Sequence, residues 1–200
     1  MTNDIREPKQ ERSILKKEKI IDAGWRLISK NGYYNTNTAE IAAKANVSTG
    51  IVYQYFKDKH DILIAGINKY GDDIFFPVLK NDINKIDINN FPTLTSKLIL
   101  EYIKDHKISA SAHEEIMSMV HTDKEVAKYY YAREMNLTNN IYDMLIKNNI
   151  TDNNLKEKVH IIIGMIDNLC HEIVYHKHEG LDYKVMTSIV IDNITNLVKQ

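Results

Sequence analysis

From Ser48 to Lys59 the chain reads Ser-Thr-Gly-Ile-Val-Tyr-Gln-Tyr-Phe-Lys-Asp-Lys. Hydroxyls, an amide and cations are interleaved there with apolar residues at helical spacing, a set that can lay one face on a polyanion. The Gln54 amide has the donor and acceptor pair needed for adenine N6 and N7 in a major groove. Gly50 lacks a side chain, so the start of a helix at Ser48 and Thr49 can bring its N–H groups close to that surface. Ile51 suits a thymine methyl. Thr36, Thr38, Tyr53, Tyr55 and Lys59 suit phosphate oxygens, which fix register without reading sequence. Ahead of them, Lys9, Arg12, Lys16 and Lys17 suit a phosphate backbone or minor groove, and equally an ordinary solvated face.

The other reactive residues do not assemble into a catalytic pattern. His171-Glu172 is followed by Tyr175 where a zinc-protease HExxH helix needs its second His, and His176 comes one residue late. His176, His178 and Glu179 suit a solvated helix end better than a metal site. His60-Asp61 resembles the dipeptide of metal-dependent phosphohydrolases, but that chemistry needs a ligand His well upstream and none precedes position 60. There is no Gly-rich phosphate loop and no GxSxG. The single cysteine, Cys170, rules out an internal disulfide and a Cys-rich zinc site, and its apolar helical setting predicts an inert buried thiol. No cofactor is expected.

Helices must position these residues. Gly (7) and Pro (3) are scarce in 200 residues, and 44% of the chain is hydrophobic, which favours an all-helical fold with a real core. Apolar residues follow helical spacing from about Ser13 through Ile14, Ile20, Ile21, Trp25 and Ile28, and Gly32 signals a C-cap. Asn37 with Glu40 reads as a capping box that opens a short second helix. Asn46 takes the turn, Ser48 caps a third helix, and Asp58 with Asp61 caps a fourth, which runs through Ile74 and Phe75 towards Pro77. Residues 81–90 read as an Asn/Asp-rich connection. Further helices are expected from Pro92, over about 110–120, from a cap at Thr122 or Asp123, over about 152–178, and over about 182–198. No strand or repeat is predicted.

Charge divides the chain. Residues 1–70 carry 12 Lys/Arg against 8 Asp/Glu, a net of +4, while residues 71–200 carry 14 against 19, a net of −5. A basic front is what a polyanion partner would meet, although a chance split gives the same numbers. The longest apolar run, Ile161–Ile166, is far short of a membrane span, and the polar N-terminus does not read as a signal peptide, so a cytoplasmic, non-membrane protein is expected.

Thr38–Phe56 has helix-turn-helix spacing: Ala42 at the crossing of two helices, Asn46 four residues later in the turn, and Val52 six further on to plug the angle. The surrounding segment, Ile20–Leu63, resembles the N-terminal DNA-binding domain of TetR-family transcriptional regulators. The resemblance rests on Ile21, Ala23, Gly32-Tyr33, Ile41-Ala42, Val47-Ser48, Gly50, Val52-Tyr53, Tyr55-Phe56 and Lys59. Gly24 and Asn46 depart from the usual Ala and Gly, and Gly24 is expected to loosen the first helix slightly. The resemblance implies that Thr49, Gly50, Tyr53, Gln54 and Lys59 face DNA.

The resemblance also implies dimerisation through the last two long helices. One offers Leu155, Val159, Ile162, Ile166, Leu169 and Ile173, with Gly164 allowing close approach. The other offers Met186, Ile189, Val190, Ile194 and Leu197. Two such helices per chain would build a four-helix interface, and a two-fold dimer implies a palindromic operator. For a small-molecule effector, Tyr102, His106, His113, Met117 and Tyr130 are candidate pocket residues, as are Met135, Tyr142, Met165, Asn168 and His171; the same residues suit an ordinary core.

The expected protein is therefore all-α. A flexible arm (1–12) precedes a three-helix helix-turn-helix domain (13–58) and a helical ligand-binding and dimerisation domain (59–200). The expected function is a DNA-binding transcriptional regulator, a homodimeric repressor released from a palindromic operator by a small molecule. A regulator answering to a protein partner, or an all-helical metal-dependent hydrolase, are the alternatives.

Overall fold

The computed structural model describes residues 10–71, 90–105 and 109–199. Among them are nine α-helices and no strand: α1 (Glu11–Asn31), α2 (Thr38–Lys44), α3 (Thr49–Tyr55), α4 (Lys59–Tyr70), α5 (Phe91–Asp105), α6 (Ala110–Thr122), α7 (Lys124–Lys147), α8 (Leu155–Tyr175) and α9 (Tyr183–Lys199). The all-helical expectation holds. Lys9, Ile74, Phe75, Pro77, His106 and the connection at 81–89 lie outside the described residues, as do most of the N-terminal arm and the side chain of Tyr102. No described helix is long and apolar enough to cross a membrane.

The chain forms two compact units. The first holds α1 to α4, α6 and the start of α7. In it α1 packs on α2, α3, α4 and α6, and α2 packs on α3. Ile20, Ile41, Val52 and Ile62 are fully buried in its core, with Ala42 and Phe56 beside them.

Its helix starts are fixed locally. Asn37 Oδ1 accepts from Glu40 N and Glu40 returns a carboxylate to Asn37 N, so the capping box forms as expected. Ser48 Oγ accepts from Ile51 N. Asp58 Oδ1 accepts from Asp61 N, and Asp61 Oδ2 accepts from Lys57 N, a reciprocal cap at the start of α4. Asn46 has φ 55°, the left-handed turn conformation expected of it.

Gly24 has a packing role that the sequence did not show. It is buried where α1 crosses α4, and a Cβ there would collide with Ile62 Cγ2. Its lack of a side chain is what allows this close crossing.

The second unit holds α5, the remainder of α7, α8 and α9. Here α9 packs on α8 and α5, and α5 packs on α8. Ile99, Leu145, Leu155, Val159, Leu169 and Ile194 form its core. Cys170 is fully buried there, and burial followed by the nearby Asp167 charge pushes its thiol pKa up to about 12. A thiol so protonated is a poor nucleophile, as expected.

Candidate nucleic-acid interface

Within the first unit, α2 and α3 form a helical pair joined by residues 45–48. Three apolar side chains hold α3 from behind: Val52, Tyr55 and Phe56 are all buried. Because these occupy its inner face, helical periodicity turns the rest outward. Ser48, Thr49, Gly50, Tyr53 and Gln54 are exposed and Ile51 is half-buried. An added Cβ at Gly50 would meet nothing nearer than Ser48 Oγ at 3.9 Å, so the start of α3 is open to a close-approaching surface.

The Tyr53 hydroxyl lies 3.0 Å from Thr38 Oγ1. It ties the middle of α3 to the first residue of α2. Thr38 and Tyr53 are thereby brought together as a polar edge beside the exposed face of α3.

Three expected phosphate contacts are placed otherwise. Thr36 is only 2% exposed, and its hydroxyl donates to Gly32 O at 2.9 Å, so it closes the α1–α2 loop from inside. Tyr55 is 5% exposed, because its position on α3 falls on the core side with Val52. Lys59 is turned inward as well. Its ammonium donates to Tyr33 O at 2.5 Å and Thr36 O at 2.7 Å, and it sits 4.1 Å from the centre of the Tyr33 ring. Burial pulls the Lys59 pKa down from its ordinary value, while Glu115 and Glu40 oppose the shift. Lys59 is a clamp on the α1–α2 loop.

Sequence reasoning missed two residues. Tyr34 is 70% exposed on that loop, and its backbone N–H donates to Glu115 Oε2 of α6 at 3.1 Å. The two are 81 residues apart in the chain, beyond the reach of any local pattern. Of the basic stretch, Arg12 and Lys16 are exposed, whereas the Lys17 ammonium lies 5.9 Å from the centre of the Phe56 ring just past α3.

The metal-type residues are engaged structurally. Asp58, His60 and Asp61 bring potential ligand atoms within 4.8 Å of one another. One oxygen of each carboxylate is already committed to a helix cap, and His60 Nε2 lies 2.7 Å from Asp123 Oδ2. Asp123 is the cap of α7, accepting from Glu125 N and Val126 N. Burial pushes its carboxyl upward, but the Val126 N–H, His60 and the Glu125 N–H outweigh that and hold it below the usual range. His176 follows the last residue of α8 and is exposed.

The pocket candidates divide between the units. His113, Met117 and Tyr130 belong to the first, and Met135, Tyr142, Met165, Asn168 and His171 to the second. His113 is buried, while Tyr142 and Met165 pack against the core of the second unit. Met135 on α7 and Asn168 on α8 are exposed. His171 Nδ1 lies 3.3 Å from Asp167 Oδ2, one turn earlier on α8.

The dimer candidates also divide, by helix face. Leu155, Val159, Ile166 and Ile194 are buried in their own unit's core, so they are not available to a second chain. Ile162, Ile173, Met186, Val190 and Leu197 are half-buried. Gly164 and Ile189 are exposed, together with Ile161 and Val185, which the sequence did not single out. The outward stripe therefore keeps Gly164 and Ile189 from the expected set and adds Ile161 and Val185.

An all-helical fold carrying a capped helix pair, with an exposed polar face on its second helix, defines a helix-turn-helix protein. Residues 20–65 match the family described as bacterial regulatory proteins, tetR family. The matched segment runs from within α1 to within α4 and so contains the α2–α3 pair. The chain is 52% identical over 57 residues to the HTH-type transcriptional regulator HbdR of Aromatoleum sp. (strain CIB), covering 28% of this chain and 25% of that one. It is 34% identical over 96 residues to the fatty acid metabolism regulator protein of Bacillus subtilis (strain 168), covering 47% and 45%. The chain thus spans less than half the length of these relatives. Its fold resembles that of a Saccharomonospora viridis chain solved in complex with choline, with a TM-score of 0.66 and 18% identity over 89% of this chain and 94% of that one.

Proposed function

We propose that the protein is a sequence-specific DNA-binding transcriptional regulator that works as a homodimeric repressor. The observation that carries this reading is the exposed set Thr49, Gly50, Tyr53 and Gln54 on α3, backed by buried Val52 and Phe56, inside the segment that matches the tetR family. In this reading α3 enters the major groove, Gln54 reads a base, and Ser48, Thr49, Tyr53 and Thr38 meet the backbone. Exposed Ile161, Gly164, Val185 and Ile189 on the adjacent helices α8 and α9 support pairing with a second copy. A two-fold dimer then calls for a palindromic operator.

A small-molecule effector that prefers the DNA-free arrangement completes the proposal. The fold shared with a chain solved with choline supports such a ligand. The effector acts only through its differential affinity for the two arrangements.

The test is selection of bound sequences from a random double-stranded pool at physiological salt, where non-specific binding is weak. An enriched palindrome supports the reading and supplies the probe for effector screening. No enrichment by a folded dimer overturns it.

A further inference from the structure

The α1–α2 loop, residues 32–37, has its backbone held from several sides. Thr36 Oγ1 donates to Gly32 O, Lys59 Nζ donates to Tyr33 O and Thr36 O, and Glu40 accepts from Asn37 N. The Tyr34 N–H is taken by Glu115 of α6. The same carboxylate abuts Gly32. That residue has φ +90°, and a Cβ there would fall 2.6 Å from Glu115 Oε1. Elsewhere α6 is joined to α1 where Ser109 N donates to Ser29 O at 3.0 Å. Helix α6 therefore grips the end of α1 and the loop that follows it.

That loop delivers Thr38, whose hydroxyl is bonded to Tyr53 on α3. From Glu115 to the exposed face of α3 there is a continuous run of contacts: carboxylate to Tyr34 amide, loop to α2, Thr38 to Tyr53. We propose that Glu115 is a positioning residue for the nucleic-acid interface, fixing the α1–α2 loop, and through it the α2–α3 pair, in the DNA-competent arrangement. The inference rests on the regulator reading above. Glu115 touches no DNA in it. The negative charge of Glu115 also favours the charged form of Lys59, the other clamp on the same loop. The two are coupled through the backbone they share.

The experiment compares full-length wild type, Glu115→Ala and Glu115→Gln. It measures affinity for the DNA enriched by the wild type, the salt dependence of that affinity, and hydrogen exchange at the Tyr34 amide. Gln keeps an acceptor for that amide and removes the charge. The expected result for Glu115→Ala is faster exchange at Tyr34 and about tenfold weaker binding with the salt slope unchanged, because no phosphate contact is lost. Glu115→Gln recovers most of both. A merely structural role would lower the melting temperature and leave the affinity of the folded protein where it was. Unchanged affinity in Glu115→Ala, or no recovery in Glu115→Gln, overturns the inference alone. No enriched DNA for the wild type overturns the regulator reading and the inference together.

Discussion

His60 Nε2 and Asp123 Oδ2 lie 2.7 Å apart, joining the first turn of α4 to the cap of α7. The carboxylate serves two ends at once, because its other oxygen accepts from Glu125 N and Val126 N. Glu125 also lies 3.9 Å from His60 Nδ1. Asp123→Ala is expected to destabilise the protein by about 1–2 kcal/mol, the range of a lost helix cap with a polar partner. Asp123→Asn, which keeps an acceptor, should cost less. Asp123 holds its proton less tightly folded than unfolded. Its contribution is therefore complete above the ordinary carboxylate pKa, about 4, and is lost as pH falls through the lowered folded value. Urea unfolding of wild type and Asp123→Ala across this range checks the claim: the two should converge at low pH.

Gly24→Ala reverses an intuition from helix propensity. In an exposed helix the change would stabilise by about 1 kcal/mol. Here the new methyl meets Ile62, so a net loss of about 1–3 kcal/mol is expected. Pairing it with Ile62→Ala, which removes the Cγ2 methyl that the new Cβ would meet, should recover part of the loss in a double-mutant cycle.

Gln54 and Lys59 should separate cleanly. Gln54→Ala is expected to relax preference at one operator position at a cost of about 1–3 kcal/mol, with the fold intact. Lys59→Ala removes the donor that holds Tyr33 O and Thr36 O, so it should lower the melting temperature as well as weaken binding to all sequences. Binding profiles over single-base operator variants, read beside thermal unfolding, distinguish the two. A salt slope reduced by about one in Lys59→Ala, with stability untouched, would return that lysine to the phosphate.

The two faces of α9 make a fourth contrast. Ile189→Glu places a charge on an exposed position and should shift a dimer to monomer with helicity retained. Ile194→Glu buries a charge in the core of the second unit and should unfold that unit. Sedimentation and circular dichroism together resolve the two effects.

What the sequence disclosed was set by local rules. The Asn37–Glu40 box, the Ser48 and Asp58 caps and the Asn46 turn each depend on residues within a turn of one another, and each stands as read. The exposed face of α3 was legible for the same reason: Val52 and Phe56 fix its phase. The Lys59 bonds were hidden because its position on the helix does not reveal two carbonyls 23 and 26 residues earlier. Glu115 was invisible because its partner is 81 residues away. On α8, Ile161, Ile162 and Ile163 are identical side chains in consecutive positions, so composition could not say which faces out; packing buries Ile163 and leaves Ile161 at 55% exposure.

The bond between Tyr53 and Thr38 bears on how fast the protein could find a target. A recognition helix that had to order against its neighbour on contact would lose productive encounters to that search and would spend binding free energy on immobilisation. Here the two helices are latched before any ligand arrives. Association by such a rigid pair is governed by diffusion and orientation, with charge setting the approach, and differences among targets would then show in how long each complex lasts.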